Sequence, residues 1–497
     1  MNTTPRATLP PAARWLPLTI VSAALIAFSQ TGAIYDGDEG LHLVAALAVK
    51  DGQRPYVDFF YWHQPLYLYL AASWMAVVGE SWRSVHALSA VLTAACAVLV
   101  GTVGTGAGQT ETRRTWSGVV GASFFGLNVL VLKWGTIGHN YALCLLLSVA
   151  ALALVIRTVR QPGVWGAFWT GFFAGAATAT SLLVVPLAPI LLIWLVLNNT
   201  AGDWRAKSVC FMGAAVIPFL PVIWLAIEAP YPTFFGLVAH HLFYRAAIDN
   251  ATTLQWEILL SWSKSPQALM LILLSAIGLW FAARAPHSDK AARNHFYLCA
   301  SLVIAMGVFV TVIHPPARTP YFVLTTPFLA MLAAAGTDAL AQRVRPARPS
   351  WLVALVVGFF ILSGVGSIYR ERSWVSEWAR VESFAEAVNR VTPADASFYT
   401  SYAFVYFAAR HRPPPGLENG WASHMPLSAD LLSSLRVMPA SVASEKVRSG
   451  GFDTTLLWRD DPRFDRVTLE RVYRQARDLD PYFVLRWDVK NSERVQW

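Results

Sequence analysis

Charge is scarce in this chain. Only 14% of its residues are Asp, Glu, Lys or Arg, against about 25% in soluble proteins. A chain of 497 residues built that way lacks the polar surface that a row of soluble domains would need. Cysteine is scarcer still. Cys96, Cys144, Cys210 and Cys299 all lie within apolar runs, with no CxxC pair and no Cys/His cluster. That excludes a disulfide framework and a zinc module, and leaves the four as small buried hydrophobes. GTVGTGAG at 101–108 lacks the Lys-Ser/Thr of a phosphate-binding loop, and no dinucleotide fingerprint follows a strand. No internal repeat of the transporter kind is present.

Apolar residues fill the gap, at 55% of the chain, and they identify a membrane protein. The remaining charge is uneven. Residues 371–497 hold 17 Lys/Arg and 17 Asp/Glu, whereas residues 1–370 are charge-poor and carry the whole net +9. The pattern reads as a transmembrane part, 1–370, followed by a soluble C-terminal domain, 371–497. Basicity of this kind reflects orientation in the bilayer and gives no reason to expect a nucleic-acid partner.

A span needs roughly 20 apolar residues. Runs at 14–34, 84–105, 116–134, 139–157, 164–179, 181–198, 208–228, 266–284, 295–314, 320–340 and 351–369 qualify, giving about eleven crossings. The first run is long and has no small-residue cleavage site, so it reads as a retained anchor. Residues 66–78 are too short and read as an interfacial helix. With the N-terminus cytoplasmic, 14 basic residues fall in short loops on the inner face, Arg113, Arg157, Arg205 and Lys207 among them. The C-terminal domain then lies outside the cytoplasm, periplasmic or extracellular. The expected fold class is a mainly α, polytopic helical membrane bundle with a small extracytoplasmic α/β domain. Within that domain 374–391 and 464–479 read as helices, and SFYTSYAFVYFAAR, DTTLLW and YFVLRWDV as strands or strand–helix junctions.

Acidic residues and histidines sort to the outer loops. The first of these, 35–83, opens with Asp36, Asp38 and Glu39 ahead of the amphipathic stretch LHLVAALAVK. An Asp there can simply cap the helix that follows. It can also serve as general base toward an acceptor hydroxyl or amine. His42 lies four residues beyond Asp38 and shares its helix face. Further along, Trp62-His63-Gln64-Pro65-Leu66-Tyr67 leads into the short apolar helix, with Pro65 suited to a helix start.

These residues resemble the GT-C superfamily of integral-membrane glycosyltransferases, in particular the protein O-mannosyltransferase and aminoarabinose-transferase group. The motif is carried by Asp38-Glu39, by His63-Gln64-Pro65-Leu66-Tyr67 and by Ser81-Trp82-Arg83. The resemblance implies a GT-C-like bundle and a polyprenyl-phosphate-sugar donor, with direct displacement that inverts the sugar. It makes Asp38 the base, with Glu39 and His42 beside it. It places His63 and Gln64 at the substrate, and implies a phosphate-binding Arg at Arg245, after the aromatic segment that contains His240 and His241. Arg318, three residues before Tyr321, matches a second such position. Two departures stand out. An acidic residue or Lys ahead of a double proline is replaced by His63-Gln64-Pro65-Leu66, and a second Asp at a later helix is replaced by His139 and Asn140. His139 or Asn140 substitutes for it, or Asn140 merely caps its helix.

The acceptor is open at this level: lipid A, another glycolipid, a glycan or a protein. Membrane lipids are partners in any case. Asp38, Glu39 and the nearby histidines could hold a divalent metal, although no metal ligand set or certain cofactor is assigned. The apolar wall for the carrier is expected from Phe59, Tyr61, Trp62 and Phe243. Together these readings point to the bacterial inner (plasma) membrane. The rivals are a non-enzymatic lipid or polysaccharide transporter and an envelope-assembly scaffold. No predicted span carries a charge near its middle, which speaks against the transporter.

Overall fold

The computed structural model describes residues 11–103, 111–244, 258, 260, 264–284, 290–313, 317–344, 350–372, 375–473, 475–479 and 482–486. These are mainly helical, with six short strands. They form two compact units. The first gathers the described parts of 1–31, 86–220 and 245–374; the second gathers those of 32–85, 221–244 and 375–497.

The first unit is a bundle of long apolar helices. Helix occurs at each of the eleven positions that the apolar runs indicate. Seven stretches are long and apolar enough to cross a membrane: Trp82–Val103, Tyr141–Thr158, Trp204–Glu228, Pro266–Arg284, Asn294–Ile313, Thr319–Val344 and Trp351–Glu371. At the other four the helix is shorter or interrupted. Pro11–Ser29 has 19 residues with Pro17 inside it. Glu111–Gly126 stops ahead of Asn128, whose side chain accepts the Leu130 N–H at 2.9 Å and starts Val129–Trp134. Trp165–Thr180 has 16 residues. A 3-10 turn, Leu182–Val184, precedes Leu187–Asn198, with Pro186 at its cap. The bundle closes over a core that includes Phe124, Leu145, Leu152, Phe211, Phe328 and Phe360.

Small residues let helices touch by their backbones. A Cβ on Gly171 or Gly175 would lie 2.1 Å from the carbonyl oxygen of Phe211 or Ala215 respectively. The GxxxG spacing therefore seats Trp165–Thr180 directly on Trp204–Val216, as association without a hydrophobic driving force requires. At one end of this pair Lys207 is fully buried. Its ammonium donates to the Thr158 and Gln161 carbonyls at 3.0 and 2.6 Å and to Asn199 Oδ1 at 2.9 Å, and pairs with Asp203 at 2.9 Å. A cation there satisfies carbonyls that the ending helix Tyr141–Thr158 leaves open.

The second unit contains the short apolar helix Leu66–Val78, of 13 residues. Its first sheet pairs β1 (Ala33–Ile34) antiparallel with β2 (Ser376–Glu377). The second, of four strands, comprises β3 (Phe398–Thr400), β4 (Thr454–Trp458), β5 (Gln475–Leu479) and β6 (Tyr482–Arg486) in the order β3-β4-β6-β5. Only β3 and β4 run parallel. Helices Trp378–Asn389 and Ala403–Ala409 join this sheet in an α/β arrangement. One reading shifts and one is resolved. The SFYTSYAFVYFAAR run is a strand–helix junction, strand to Thr400 and helix from Ala403, where Phe404, Val405 and Phe407 pack inward at helical spacing. Segment 464–479 is helix over Arg466–Val472, where Asp465 caps it, and strand from Gln475.

Candidate active site

Asp38 opens the helix Asp38–Lys50 rather than capping it. Gly37 occupies the cap, and Asp36 Oδ1 accepts the Asp38 N–H at 3.0 Å. The two carboxylates Asp38 and Glu39 therefore sit in the first turn, at the positive end of the helix dipole. Their environments differ. Asp38 is half-buried, while Glu39 and His42 are buried. Close contact by the C-terminal segment accounts for this. A Cβ on Gly40 would lie 2.9 Å from the Phe404 ring and 3.1 Å from its backbone nitrogen.

At His42 the helix Asp38–Lys50 meets the segment 61–67. Its Nδ1 shares a 2.8 Å hydrogen bond with the Tyr61 hydroxyl. Its ring lies 4.9 Å from His63 and 5.8 Å from Tyr67. Burial pushes the Tyr61 phenol well above its ordinary pKa, with Tyr56, Tyr67 and Asp38 adding to the effect. Tyr61 is therefore neutral beside Asp38 and able to donate a hydrogen bond. Tyr56, in a left-handed conformation at φ 66°, donates its hydroxyl to the His63 carbonyl at 2.5 Å and holds the loop in this course.

The other wall is the wide helix Phe235–Tyr244, wound with i→i+5 bonds, a form found at functional sites. His241 Nε2 donates to the Trp62 carbonyl at 2.6 Å, and the His240 ring stacks on Trp62 at 4.7 Å. His63 and His241 rings are 6.1 Å apart. Gly236 makes the approach feasible, since a Cβ there would lie 2.3 Å from the Tyr61 carbonyl oxygen. Phe60, Phe235 and Ala239 then pack with Met425, Leu432 and Val437 of the C-terminal segment in one apolar cluster.

The C-terminal segment is also stitched to the start of the first loop. The Trp378 N–H donates to the Gly32 carbonyl at 2.8 Å, and the Trp82 and Trp378 rings stack at 5.6 Å. Trp82 Nε1 and Arg83 both reach Glu382 Oε1 at 2.8 Å. Trp82 and Arg83 of the first-loop motif are thus anchoring residues.

Asp38, Glu39, His42, His63, Gln64, His240 and His241 fall in the second unit. Gln64 is buried there. His139, Asn140, Arg318 and Tyr321 fall in the first. His139 is buried and stacks on Tyr141 at 4.1 Å. Asn140 stands at the cap position of helix Tyr141–Thr158, but its side chain makes no cap bond and donates to the Thr180 carbonyl at 3.1 Å. Arg318 is exposed and precedes the 3-10 turn Thr319–Thr325, with the Tyr321 N–H on its carbonyl at 3.0 Å. Arg245 lies outside the described residues. Of the expected apolar wall, Phe59 and Tyr61 are buried in the fold and Phe243 is exposed. Sequence reasoning assigned Tyr61 only to that wall. Its place two residues before His63, on the same side of an extended segment, was the available signal.

No protein-family model matches the chain, and no curated protein does. Solved structures do match in fold. ArnT from Cupriavidus metallidurans bound to undecaprenyl phosphate is 16% identical, with a TM-score of 0.66 over 97% of this chain and 99% of that one. The mycobacterial arabinofuranosyltransferase AftD is 15% identical, with a TM-score of 0.51 over 91% of this chain and 35% of that longer one. The oligosaccharyltransferase from Archaeoglobus fulgidus is 10% identical, with a TM-score of 0.50 over 92% of this chain and 71% of that one. The protein has the fold of the GT-C integral-membrane glycosyltransferases. Its first-loop motif resembles the same superfamily.

Proposed function

We propose that this protein transfers a sugar from a polyprenyl-phosphate carrier to an acceptor at the outer face of the membrane, with inversion at the anomeric carbon. The observation that carries the reading is the end-to-end likeness in fold to ArnT captured with undecaprenyl phosphate. The paired carboxylates at the head of helix Asp38–Lys50 support it. In the reaction, the acceptor hydroxyl or amine loses its proton to the Asp38 carboxylate as its oxygen or nitrogen bonds to the anomeric carbon. The bond from that carbon to the phosphate oxygen breaks, and the polyprenyl phosphate leaves with the electron pair. Tyr61 and His42 hold the site beside Asp38, and Glu39 sits behind it, shielded from water. Arg245 and Arg318 are the proposed partners of the departing phosphate, where a guanidinium binds two oxygens at once.

The test is transfer from a radiolabelled polyprenyl-phosphate sugar by the purified protein in nanodiscs. Asp38→Asn should lower turnover by about 10²–10⁴-fold and leave carrier binding intact. Arg245→Gln and Arg318→Gln should weaken carrier binding. A D38N protein that turns over at the wild-type rate would remove the catalytic assignment, and a wild type that binds no carrier would remove the donor class.

A further inference from the structure

Away from the candidate active site, the first unit carries a cleft that is polar at one end and apolar along the rest. It runs between helices Leu187–Asn198 and Lys290–Val308, which pack side by side, and has a volume of about 420 Å³. Ile190, Ile193 and Leu298 line it, with Asn198, Asn294 and Tyr297 toward one end. Hydrogen bonds fix that end. Asn294 Nδ2 donates to Asn198 Oδ1 at 2.5 Å, Asn198 Nδ2 to the Trp194 carbonyl at 2.9 Å, and Trp194 Nε1 to the Asn294 carbonyl at 3.3 Å. An amide nitrogen carries two N–H groups, so each Asn has a donor beyond this ring of bonds. Ser301, further in, turns its hydroxyl back to the Tyr297 carbonyl at 2.8 Å and leaves that stretch apolar in effect.

Positive charge stands at the same end. Thr200 donates its N–H and its hydroxyl to the Val159 carbonyl at 3.1 and 3.2 Å, which sets Arg160 beside the chain leaving Asn198. Arg160 is exposed and lies within electrostatic reach of His295, the neighbour of Asn294. Helix Lys290–Val308 adds Lys290 and Arg293 in its first turn. The carboxylate nearby, Asp203, is already held by Lys207 at 2.9 Å. In the other direction, Ile190 lies about 12 Å along the helix from Asn198. Donors and cations where the helices end, followed by hydrocarbon contact along them, match a polar headgroup joined to an apolar chain. An apolar helix of a partner protein would leave the Asn donors and the cation unmatched.

We propose that this cleft binds one anionic phospholipid, with an acyl chain along Ile190 and Ile193 and the glycerol phosphate among Asn198, Asn294, Tyr297 and Arg160. The amide and phenol hydrogens donate to its ester and phosphate oxygens, and the Arg160 guanidinium pairs with the phosphate. Basic pockets between membrane helices favour such headgroups. The distribution of basic residues predicts that this end faces the cytoplasm, so the lipid comes from the inner leaflet. The site does not rest on the transferase reading.

The experiment uses the full chain, delipidated in detergent, and counts bound lipid by native mass spectrometry. The probes are phosphatidylglycerol, phosphatidylcholine and undecaprenyl phosphate. Wild type should hold phosphatidylglycerol more tightly than phosphatidylcholine, and excess inorganic phosphate should not displace it. Arg160→Gln should weaken phosphatidylglycerol binding about 3–10-fold and leave phosphatidylcholine binding unchanged. Ile193→Trp and Leu197→Trp, at exposed positions on the cleft wall, should fill the cleft and each lower phosphatidylglycerol binding about tenfold. Melting midpoints without lipid, compared with wild type, tell lost binding from a lost fold, and either Trp variant alone suffices. Equal binding of the two phospholipids by wild type overturns the anionic site. Full phosphatidylglycerol binding in R160Q and in the Trp variants puts the lipid elsewhere and overturns it too. Displacement by inorganic phosphate would reduce the cleft to an anion site, and preferential displacement by undecaprenyl phosphate would assign it to the carrier; each overturns the phospholipid.

Discussion

Two buried ionisable residues of this protein give direct tests. Lys207 sits fully buried among two carbonyls, Asn199 and Asp203. Replacing it with Met removes the donor and leaves those acceptors without it, which should cost roughly 3 kcal/mol. Thermal unfolding in detergent checks this; an unchanged midpoint for K207M would show that the carbonyls find water. Glu418, in the C-terminal segment, is pushed up to about 7 by burial, and the Gly416 N–H at 2.9 Å only partly offsets that. Its folded pKa is above the unfolded value. Its favourable contribution is therefore complete below the ordinary carboxylate range and is lost as pH rises through about 7. Glu418→Gln should accordingly melt about 2–4 °C higher than wild type at pH 8 and show no such gain at pH 4.5. A difference that does not vary with pH would rule out this protonation.

At the scale of elements, the decisive feature is how closely the helix Asp38–Lys50 meets Ala403–Ala409. Gly40 has no room for a side chain, whereas a Cβ on Gly37, one turn earlier, would meet nothing within 4 Å. Gly40→Val should destabilise by about 1–3 kcal/mol through overpacking and displace Asp38 and Glu39, cutting transfer more than tenfold. Gly37→Ala, at an exposed position with α-region backbone angles and open space around the new Cβ, should leave stability within about 0.5 kcal/mol. Calorimetry of the two variants side by side checks the contrast, and equal losses would show that the contact yields. The short helix Leu66–Val78 and most long helices are legible from apolar run length alone. The break at Asn128 and the change from helix to strand within 464–479 are not, because each depends on one capping bond or on which strand the segment pairs with.

Across the whole molecule, orientation is a separate prediction from the distribution of basic loops. A reporter fused after residue 205 should face the cytoplasm and one after residue 372 should face outside; both on one side would refute eleven crossings. The sequence alone determined the membrane class, the helix positions, the charge-rich C-terminal region and the motif Asp38-Glu39 with His63-Gln64-Pro65. Those properties follow from composition and short-range spacing, which every residue carries wherever it folds. Only the tertiary structure decided that the first loop, residues 221–244 and the C-terminal region form one compact body. It alone brought His42 to Tyr61 and His63, Trp62 to His240, and Tyr402 within reach of Glu39. Those meetings join residues up to some hundreds of positions apart, through backbone approaches at Gly40 and Gly236 that no local periodicity encodes. Apolar burial is non-directional, so it specifies that such segments must be covered and leaves the choice of covering segment to shape and hydrogen bonding in the folded chain.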